Sequence, residues 1–280
     1  PRFKTMPNPK NFNINGHLLT NHAEDWRWNN LGYWAKATDY GQACQELALL
    51  HAQAVNLQSG QDVLELACGY GAAFELWQRQ FKVNKIDALE YRPQCVVDIK
   101  QQAWLSVNQV VEGRFDSPLK PPLSNQQYDV VLCVDAAYHA QSLNQFLAVL
   151  SSALKPSGHF AFSTLMLADD YAQYSLGQRA FAQSLLRMAH VSQTSVLSAE
   201  QMSNLAQQQQ LQNLLIKPLN QHVFLGFANW IEYRASQLSL KDKLTADWQK
   251  ISLTAQWCRW IANNPLLEYV LISGQKNSSP

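Results

Sequence analysis

DVLELACGYGA, residues 62–72, is the stretch of this 280-residue chain that decides the predicted fold. Its first five residues form a short, mostly apolar run that is typical of a buried β-strand. A turn with glycine at positions 69 and 71 follows, and helical spacing of apolar residues resumes over 72–80. A strand, a glycine turn and a helix in this order are the first unit of an open α/β sheet.

The same alternation continues on both sides of this stretch. The sequence predicts further strands over 85–89, 108–112, 128–134, 159–164, 211–218 and 267–274. It predicts helices over 40–55, 93–102, 143–154, 226–240 and 246–263. Strands that alternate with helices indicate a Rossmann-like, doubly wound α/β fold. We expect a mostly parallel, seven-stranded sheet with helices on both faces.

The chain divides into an arm and one larger domain. Residues 1–40 are polar and lack a clear period, so we interpret them as an amino-terminal arm or lid. Residues 41–280 are expected to form a single domain. Residues 166–210, which are rich in Gln, Ala and Leu, are expected to form a helical cap inserted in that domain.

Two groups of apolar side chains have alternative interpretations. The arm contains AEDWRWNNLGYW, in which Trp26, Trp28 and Trp34 crowd together. Such dense aromatic residues either pack the arm onto the domain or line a ligand site. In the cap, four apolar side chains either line an acceptor pocket or pack the cap itself: Phe181, Leu185, Leu186 and Met188.

Composition excludes several classes of protein. Apolar residues make up 47% of the chain and charged residues 15%, which permits a sizeable core. The net charge of +1 without a Lys/Arg run gives no reason to expect a nucleic-acid partner. No run approaches about 18 apolar residues and the stretch PRFKTMPNPK has no apolar signal region, so neither a membrane span nor secretion is expected.

The five cysteines are scattered, at positions 44, 68, 95, 133 and 258. None forms a CxxC pair, which indicates reduced thiols in a cytoplasmic protein and argues against a zinc site. The histidines form no HExxH pair, and no metal is expected.

The end of the first strand indicates the kind of ligand. In an open α/β sheet, ligands bind beyond the carboxyl ends of the strands. There Gly69 and Gly71 allow a close backbone approach, and the N–H groups of the following helix favour an anionic group. Phe74 stands where the dinucleotide fingerprint requires a third glycine, which disfavours an NAD-dependent oxidoreductase. Glu65 repels a pyrophosphate but attracts an ammonium, as in the methionyl end of S-adenosylmethionine.

Glu90 ends the second strand, about 20 residues beyond the glycine turn. An acid at this position accepts hydrogen bonds from the two hydroxyls of a ribose, whichever nucleoside is bound. The alternative is a solvated acid in a loop.

At this point the chain resembles the class I S-adenosylmethionine-dependent methyltransferases that act on small molecules. NLGYW (30–34), VLELACGYGA (63–72), DVVLCVDAAYHA (129–140) and ALKPSGHFAFS (153–163) follow the order of the family's sequence blocks. The resemblance covers about residues 31–164, with weaker similarity over 224–230 and 269–276. It is strongest to members that methylate sugars, phenols, isoprenoids or related natural products.

The resemblance implies S-adenosylmethionine as cofactor and assigns roles near its methionyl end. Gly69 and Gly71 pack against the methionyl group, and Glu65 reaches its amino group. Ala67 replaces the first glycine of the usual turn. Tyr33 closes over the cofactor from the arm.

The resemblance also assigns the ribose and adenine ends. Glu90 holds the ribose, with Tyr91 next to it. Asp135 and Ala136 lie beside the cofactor. Arg114 stands where many members have the acid that binds adenine, and Asp116, two residues further on, is the expected substitute.

His139 is the candidate catalytic residue because it lies four residues beyond Asp135, where the methyl group is expected. Its unperturbed pKa of about 6.5 suits removal of a proton from a hydroxyl. The alternatives are that it orients the acceptor or is structural. The acid that supports such a histidine in some relatives is missing at Ser163 and Thr164. Asp169 or Asp170 is a possible substitute.

The predicted function is therefore O-methylation of a small, neutral, partly apolar metabolite. Transfer to carbon or nitrogen, and an inactive cofactor-binding protein, are the alternatives.

Overall fold

A computed structural model describes residues 14–22, 25–102 and 104–278. Its seven strands are β1 (Asp62–Leu66), β2 (Lys85–Glu90), β3 (Val107–Glu112), β4 (Tyr128–Cys133), β5 (Leu154–Leu167), β6 (Leu211–Pro218) and β7 (Leu267–Lys276). They form one sheet in the order β3-β2-β1-β4-β5-β7-β6. Only β7 runs antiparallel to its neighbours. The predicted fold class, a mostly parallel seven-stranded sheet, is confirmed.

The helices within the described residues follow the predicted alternation. They are α1 (Gly16–Leu19), α2 (Tyr40–Ala54), α3 (Pro93–Lys100), α4 (Leu143–Ala153), α5 (Leu176–Met188), α6 (Ala199–Gln208), α7 (Gly226–Gln237), α8 (Leu240–Lys243) and α9 (Ala246–Asn263). Side chains at the N-caps explain several starting points, since Asp39, Ser142 and Thr245 each accept a hydrogen bond from the first turn. Capping boxes begin α5 and α6.

Two elements differ from their predicted form. The helix predicted over 72–80 contains a π-helical stretch, Leu76–Gln80. β5 is longer than predicted at both ends, and β7 pairs with it from His159 to Leu167. At its carboxyl end β5 extends along β7, where Leu167 pairs with Leu267, 100 residues later in sequence, so the local pattern could not show this extension. At its amino end Leu154 pairs with Tyr128 of β4.

Alternating residues of the strands face two helical layers. Val63, Val130 and Leu271 pack in the core that includes α2, α7 and α9. Leu64, Val131 and Phe160 pack in the core that includes α4 and α6. This alternation is the consequence of the two-residue period of a strand whose sheet is covered on both faces.

Of the two helices in the predicted cap (residues 166–210), α5 lies over the cavity, whereas α6 packs on the sheet. α6 packs against β6 and α4, with Met202 fully buried in the second core, so it covers the sheet. The segment between β6 and β7 supplies a second covering layer through α9. α6 packs on the sheet because one of its faces is apolar, with Met202 and Ala206 in the second core. The Gln-rich composition of the segment obscured this face in the sequence.

The arm is held against α7. Trp230 Nε1 donates to the carbonyl oxygen of Leu19 at 2.9 Å, and Arg234 Nη2 donates to that of Thr20 at 2.9 Å. Residues 1–13 of the predicted arm lie outside the described residues. Within the described part of the chain, no helix has the length and apolarity needed to cross a lipid bilayer.

The order of the strands places a ligand site between β1 and β4. β2 and β3 lie on one side of β1, whereas β4 lies on the other, so the connections leave in opposite directions. Ligands bind at such switch points. Both strands are followed by a residue with left-handed backbone, Ala67 at φ +57° and Asp135 at φ +54°. Left-handed backbone at residues other than glycine is uncommon and clusters at functional sites.

Candidate functional site

A cavity of about 520 Å³ opens at the carboxyl ends of β1, β2 and β4. Its volume lies in the range typical of sites for small molecules. Seven of the eleven residues predicted to bind the cofactor or to act in catalysis line it: Glu65, Ala67, Glu90, Tyr91, Asp135, Ala136 and His139. Residues 104 positions apart in sequence meet here, as Leu31 and Asp135 do. Four predicted residues do not line the cavity: Tyr33, Gly69, Gly71 and Asp116.

The two glycines shape the turn behind the cavity wall. Both have left-handed backbone, Gly69 at φ +62° and Gly71 at φ +72°. A Cβ atom at position 69 would lie 2.9 Å from Asn29 Oδ1 and 3.2 Å from Arg92 Nη2. One at position 71 would lie 2.6 Å from the ring of Phe74. Glycine is therefore required at both positions by the backbone and by close packing.

Glu65 is a buried carboxylate in the cavity wall. Its Oε2 atom accepts a hydrogen bond from Trp77 Nε1 at 2.5 Å, and its side chain is almost wholly removed from solvent. Burial, with the nearby charge of Glu90, raises its pKa to about 7 although the indole N–H lowers it. A cationic ligand would favour the charged form of this group.

Glu90 has a fixed orientation because three backbone and side-chain groups bind it. Gly69 N–H donates to Oε2 at 2.7 Å, and Arg92 donates to Oε1 from its backbone N at 2.9 Å and from Nε at 2.8 Å. Arg92 is itself buried, with its guanidinium 5.6 Å from the centre of the Tyr70 ring. Arg92 was not among the residues predicted from sequence, although its position two residues after Glu90 was a local signal.

Asp135 connects three parts of the chain. Its Oδ1 accepts from Tyr138 Oη at 3.0 Å and from Tyr269 Oη at 2.7 Å. Its Oδ2 accepts from the backbone N–H of Leu31 at 2.6 Å. Burial raises its pKa to about 6, although all three hydrogen bonds act in the opposite direction.

His139 ends a short 3₁₀ turn after β4 and lines the cavity. Its ring lies 4.4 Å from the ring of Tyr138, measured between centroids. Burial lowers its pKa to about 3, with smaller contributions from the positive charges of His190, Lys250 and Arg92. The imidazole is therefore neutral at pH 7.

The expected adenine ligand is not at the cavity. Asp116 is 2% exposed, and both of its oxygens accept hydrogen bonds from Arg114, at 2.9 and 2.7 Å. Its Oδ2 also accepts from the backbone N–H of Gln141 at 2.6 Å. Arg114 and Phe115 line the cavity instead. Asp116 lies two residues after Arg114, behind the cavity wall that Arg114 and Phe115 form.

Tyr33 is also placed away from the cavity. Its ring packs edge-on against His222 at 5.2 Å, and its N–H donates to the carbonyl oxygen of Ala43 at 2.7 Å. The arm lines the cavity with Ile14 and with the residues just before Tyr33, from Arg27 to Leu31. Both interpretations of the tryptophan cluster apply, since Trp28 lines the cavity whereas Trp34 stacks on Trp230.

The other end of the cavity is mostly apolar. Leu185, Leu186 and Met188 of α5 line it as proposed from sequence, whereas Phe181 packs on Trp260. One face of α9 forms the opposite wall and was not predicted: Lys250, Leu253, Thr254, Trp257, Cys258 and Ile261. These positions recur with helical spacing, so the periodicity of α9 was a usable signal.

Comparison with known proteins identifies the family. Residues 33–216, more than half of the chain, match the methyltransferase domain family. The chain therefore belongs to this family, as the ordered sequence blocks indicated.

Individual relatives agree with this assignment. A phthiotriol/phenolphthiotriol dimycocerosates methyltransferase of Mycobacterium leprae is 27% identical over 67% of this chain and 66% of its own length. A ubiquinone biosynthesis O-methyltransferase of Rickettsia canadensis is 30% identical over 41% of this chain and 50% of its own. The matches thus span about half to two thirds of these relatives. A putative sarcosine dimethylglycine methyltransferase from Galdieria sulphuraria shares the fold, with a TM-score of 0.68, 20% identity and coverage of 89% and 93%.

Proposed function

We propose that the protein transfers a methyl group from S-adenosylmethionine to a hydroxyl of a small, partly apolar acceptor. The observation that supports this most directly is the composition of one cavity. Carboxylates at the ends of β1, β2 and β4 line one part of it, and apolar side chains of α5 and α9 line another. His139 belongs to the same lining.

The charges of the site fit this cofactor. Glu65 is buried and Asp135 is half-buried, and neither carboxylate forms an ion pair within the described residues, whereas Glu90 is paired with Arg92. A wall of this kind favours a ligand with positive charge. S-adenosylmethionine supplies a methyl group activated by a positively charged sulfur, and it also has an ammonium group. Glu65 would hold the ammonium and Glu90 the ribose.

The residues of the apolar end would position the acceptor. Leu186 is buried, Trp257 is half-buried, and both face the cavity. Fixing an oxygen against an activated carbon at about 3 to 3.5 Å removes most of the entropic cost of the encounter. Binding and orientation are therefore the main contributions of these walls.

His139 would accept the proton of the acceptor hydroxyl. Because its pKa is about 3, its ring nitrogen is unprotonated at neutral pH but has a low proton affinity. A weak base of this kind takes the proton late, when the bond to the methyl group has already made the hydroxyl acidic. Its earlier role is to accept a hydrogen bond and so to orient the oxygen.

The state of the cysteines indicates a reducing compartment. All five cysteines are buried free thiols, and none has formed a disulfide. We therefore place the enzyme in the cytoplasm.

The experiment has a binding arm and a reaction arm. In thermal unfolding, S-adenosylhomocysteine should raise the Tm of the full chain because it binds only the folded state, and NAD should not. A shift with NAD alone would contradict the proposal. In the second arm, the protein is incubated with methyl-labelled S-adenosylmethionine and a mixture of phenols and isoprenoid alcohols.

The labelled product then decides the acceptor atom. A methyl ether supports O-methylation, whereas a C-methyl or N-methyl product would replace it by one of the two alternatives. If none of these acceptors is labelled, the incubation is repeated with an extract of the producing cell. Cofactor binding without any labelled product would then favour an inactive cofactor-binding protein.

A further inference from the structure

Asp135 is the meeting point of the arm, the turn that contains His139, and β7. Its three hydrogen-bond donors come from Leu31, Tyr138 and Tyr269, at 2.6 to 3.0 Å. Since Leu31 and Tyr269 lie 104 and 134 residues from Asp135 in sequence, the carboxylate joins segments that are distant along the chain.

The β7 side of this junction is anchored in the interior. The Tyr269 hydroxyl also contacts the Ser163 side chain, and Ser163 Oγ lies 2.7 Å from His51 Nε2. His51 Nδ1 lies 2.8 Å from the carbonyl oxygen of Leu47. His51, Ser163 and Tyr269 are all fully buried. The carboxylate therefore has a fixed position relative to the sheet.

The arm side of the junction covers the cavity. Residues 27–31 contribute five consecutive side chains to the cavity lining. Just downstream, Tyr33 N–H binds the carbonyl oxygen of Ala43 at 2.7 Å, and Trp34 N–H binds that of His222 at 2.8 Å. These two bonds hold the chain at its base. Tyr40 Oη donates to the carbonyl oxygens of Trp28 at 3.2 Å and Asn30 at 2.9 Å and holds the segment against α2, while the bond from Leu31 to Asp135 ties its end to the turn after β4.

We propose that Asp135 is a positioning residue that closes the segment 27–31 (the cover segment) over the cavity and, through Tyr138, orients the turn that contains His139. Opening of the Leu31–Asp135 hydrogen bond then precedes entry and exit of the ligand. This inference concerns closure of the site, and it holds whichever acceptor atom the enzyme methylates.

Tyr138 connects closure of the cover segment with the orientation of His139. Its hydroxyl donates to Asp135 Oδ1, the atom that also accepts the hydrogen bond from Tyr269. Its ring contacts the ring of the next residue, His139. A shift of the carboxylate toward or away from Leu31 would therefore also move the ring beside His139. Closure and alignment of the acceptor-facing histidine become one event.

Residue-resolved amide hydrogen exchange tests this directly, with and without S-adenosylhomocysteine. In Asp135→Ala, exchange at the Leu31 amide should rise at least tenfold, because a hydrogen bond to a charged group is lost. The amides of Tyr33 and Trp34 are internal references and should keep their protection. Dissociation of S-adenosylhomocysteine, followed by stopped flow, should accelerate by a similar factor.

A matched control is Asp116→Asn. Asp116 also accepts a backbone N–H, that of Gln141 at 2.6 Å, and it is a buried aspartate near the cavity. This variant should raise exchange at Gln141 and leave Leu31 unchanged. If Asp135→Ala does not fold, Asp135→Asn keeps the shape and should give the same pattern with a smaller change.

The outcomes separate the possibilities. Unchanged protection at Leu31 in the Asp135 variants would overturn the proposal, as would equal loss of protection at Leu31, Tyr33 and Trp34, which indicates general loosening. If S-adenosylhomocysteine does not bind the wild-type protein, the proposed function fails, but the exchange pattern still decides the role of Asp135.

Discussion

Replacing Glu65 by glutamine should stabilise the protein at alkaline pH while weakening cofactor binding. Glutamine has nearly the same shape, and its amide oxygen can still accept the hydrogen bond from Trp77 Nε1. The change therefore removes one charge from the cavity wall and little else.

The magnitude follows from the pKa of Glu65. Burial raises it from 4.5 to about 7, so between these values the folded state binds more protons than the unfolded state. The free energy of unfolding then falls as pH rises through this range. At about 1.4 kcal/mol per pH unit, the ionised carboxylate costs about 3 kcal/mol at pH 8 and almost nothing near pH 4.5.

The assay is urea unfolding of the ligand-free protein at pH 5, 6.5 and 8. We expect Glu65→Gln to be more stable than wild type by about 3 kcal/mol at pH 8, with a difference that shrinks toward zero at pH 5. Glu112→Gln, at the exposed end of β3, is the matched control and should follow the wild-type curve. Parallel wild-type and Glu65→Gln curves, or a less stable variant at pH 8, would refute the reasoning.

Cofactor binding should change in the opposite direction. In the wild type, affinity for S-adenosylmethionine should increase between pH 6 and 8 as Glu65 ionises. In Glu65→Gln, we expect binding about tenfold weaker at pH 8 and no rise over this range. Calorimetry in two buffers of different ionisation enthalpy would detect the proton that the wild type releases on binding below pH 7.

Three further variants probe the rest of the cavity. Glu90→Gln should raise the Kd for S-adenosylhomocysteine at least tenfold, and it should lower stability because buried Arg92 loses its charged partner; calorimetry and urea unfolding measure the two effects. His139→Asn should keep the affinity for S-adenosylhomocysteine and lower kcat about 10²-fold in steady-state kinetics; full activity would make this residue structural. Trp257→Ala should raise KM for the acceptor and leave the Kd of S-adenosylhomocysteine unchanged, and a loss confined to cofactor affinity would place this wall at the wrong end of the cavity.

The fold could be predicted because its signals are local. β1, β2 and β4 are short, mostly apolar runs, and β1 and β6 have the predicted limits. The extension of β5 beyond residue 164 could not be predicted, since it follows from pairing with β7 as far as Leu167. The π-helical stretch Leu76–Gln80 has no sequence signature of its own.

The carboxylates of the site were predictable for a topological reason. Glu65, Glu90 and Asp135 each lie at or just beyond the end of a strand, and the carboxyl ends of neighbouring parallel strands meet at one edge of a sheet. No comparable rule indicates which distant helix covers that edge. The α9 wall and the cover segment were therefore found only when the structure brought them to the cavity.

Residue type and burial predict different groups that titrate near pH 7. By type, His139 is the group expected to titrate there, and Glu65 and Asp135 are expected to stay ionised. In the folded chain, burial lowers the pKa of His139 to about 3 and raises those of Glu65 and Asp135 to about 7 and 6. The physical cause is the same in all three cases, since a buried site disfavours the charged form of a base and of an acid alike. An acidic limb in the pH–rate profile should therefore belong to the carboxylates: it should persist in His139→Asn and shift in Glu65→Gln.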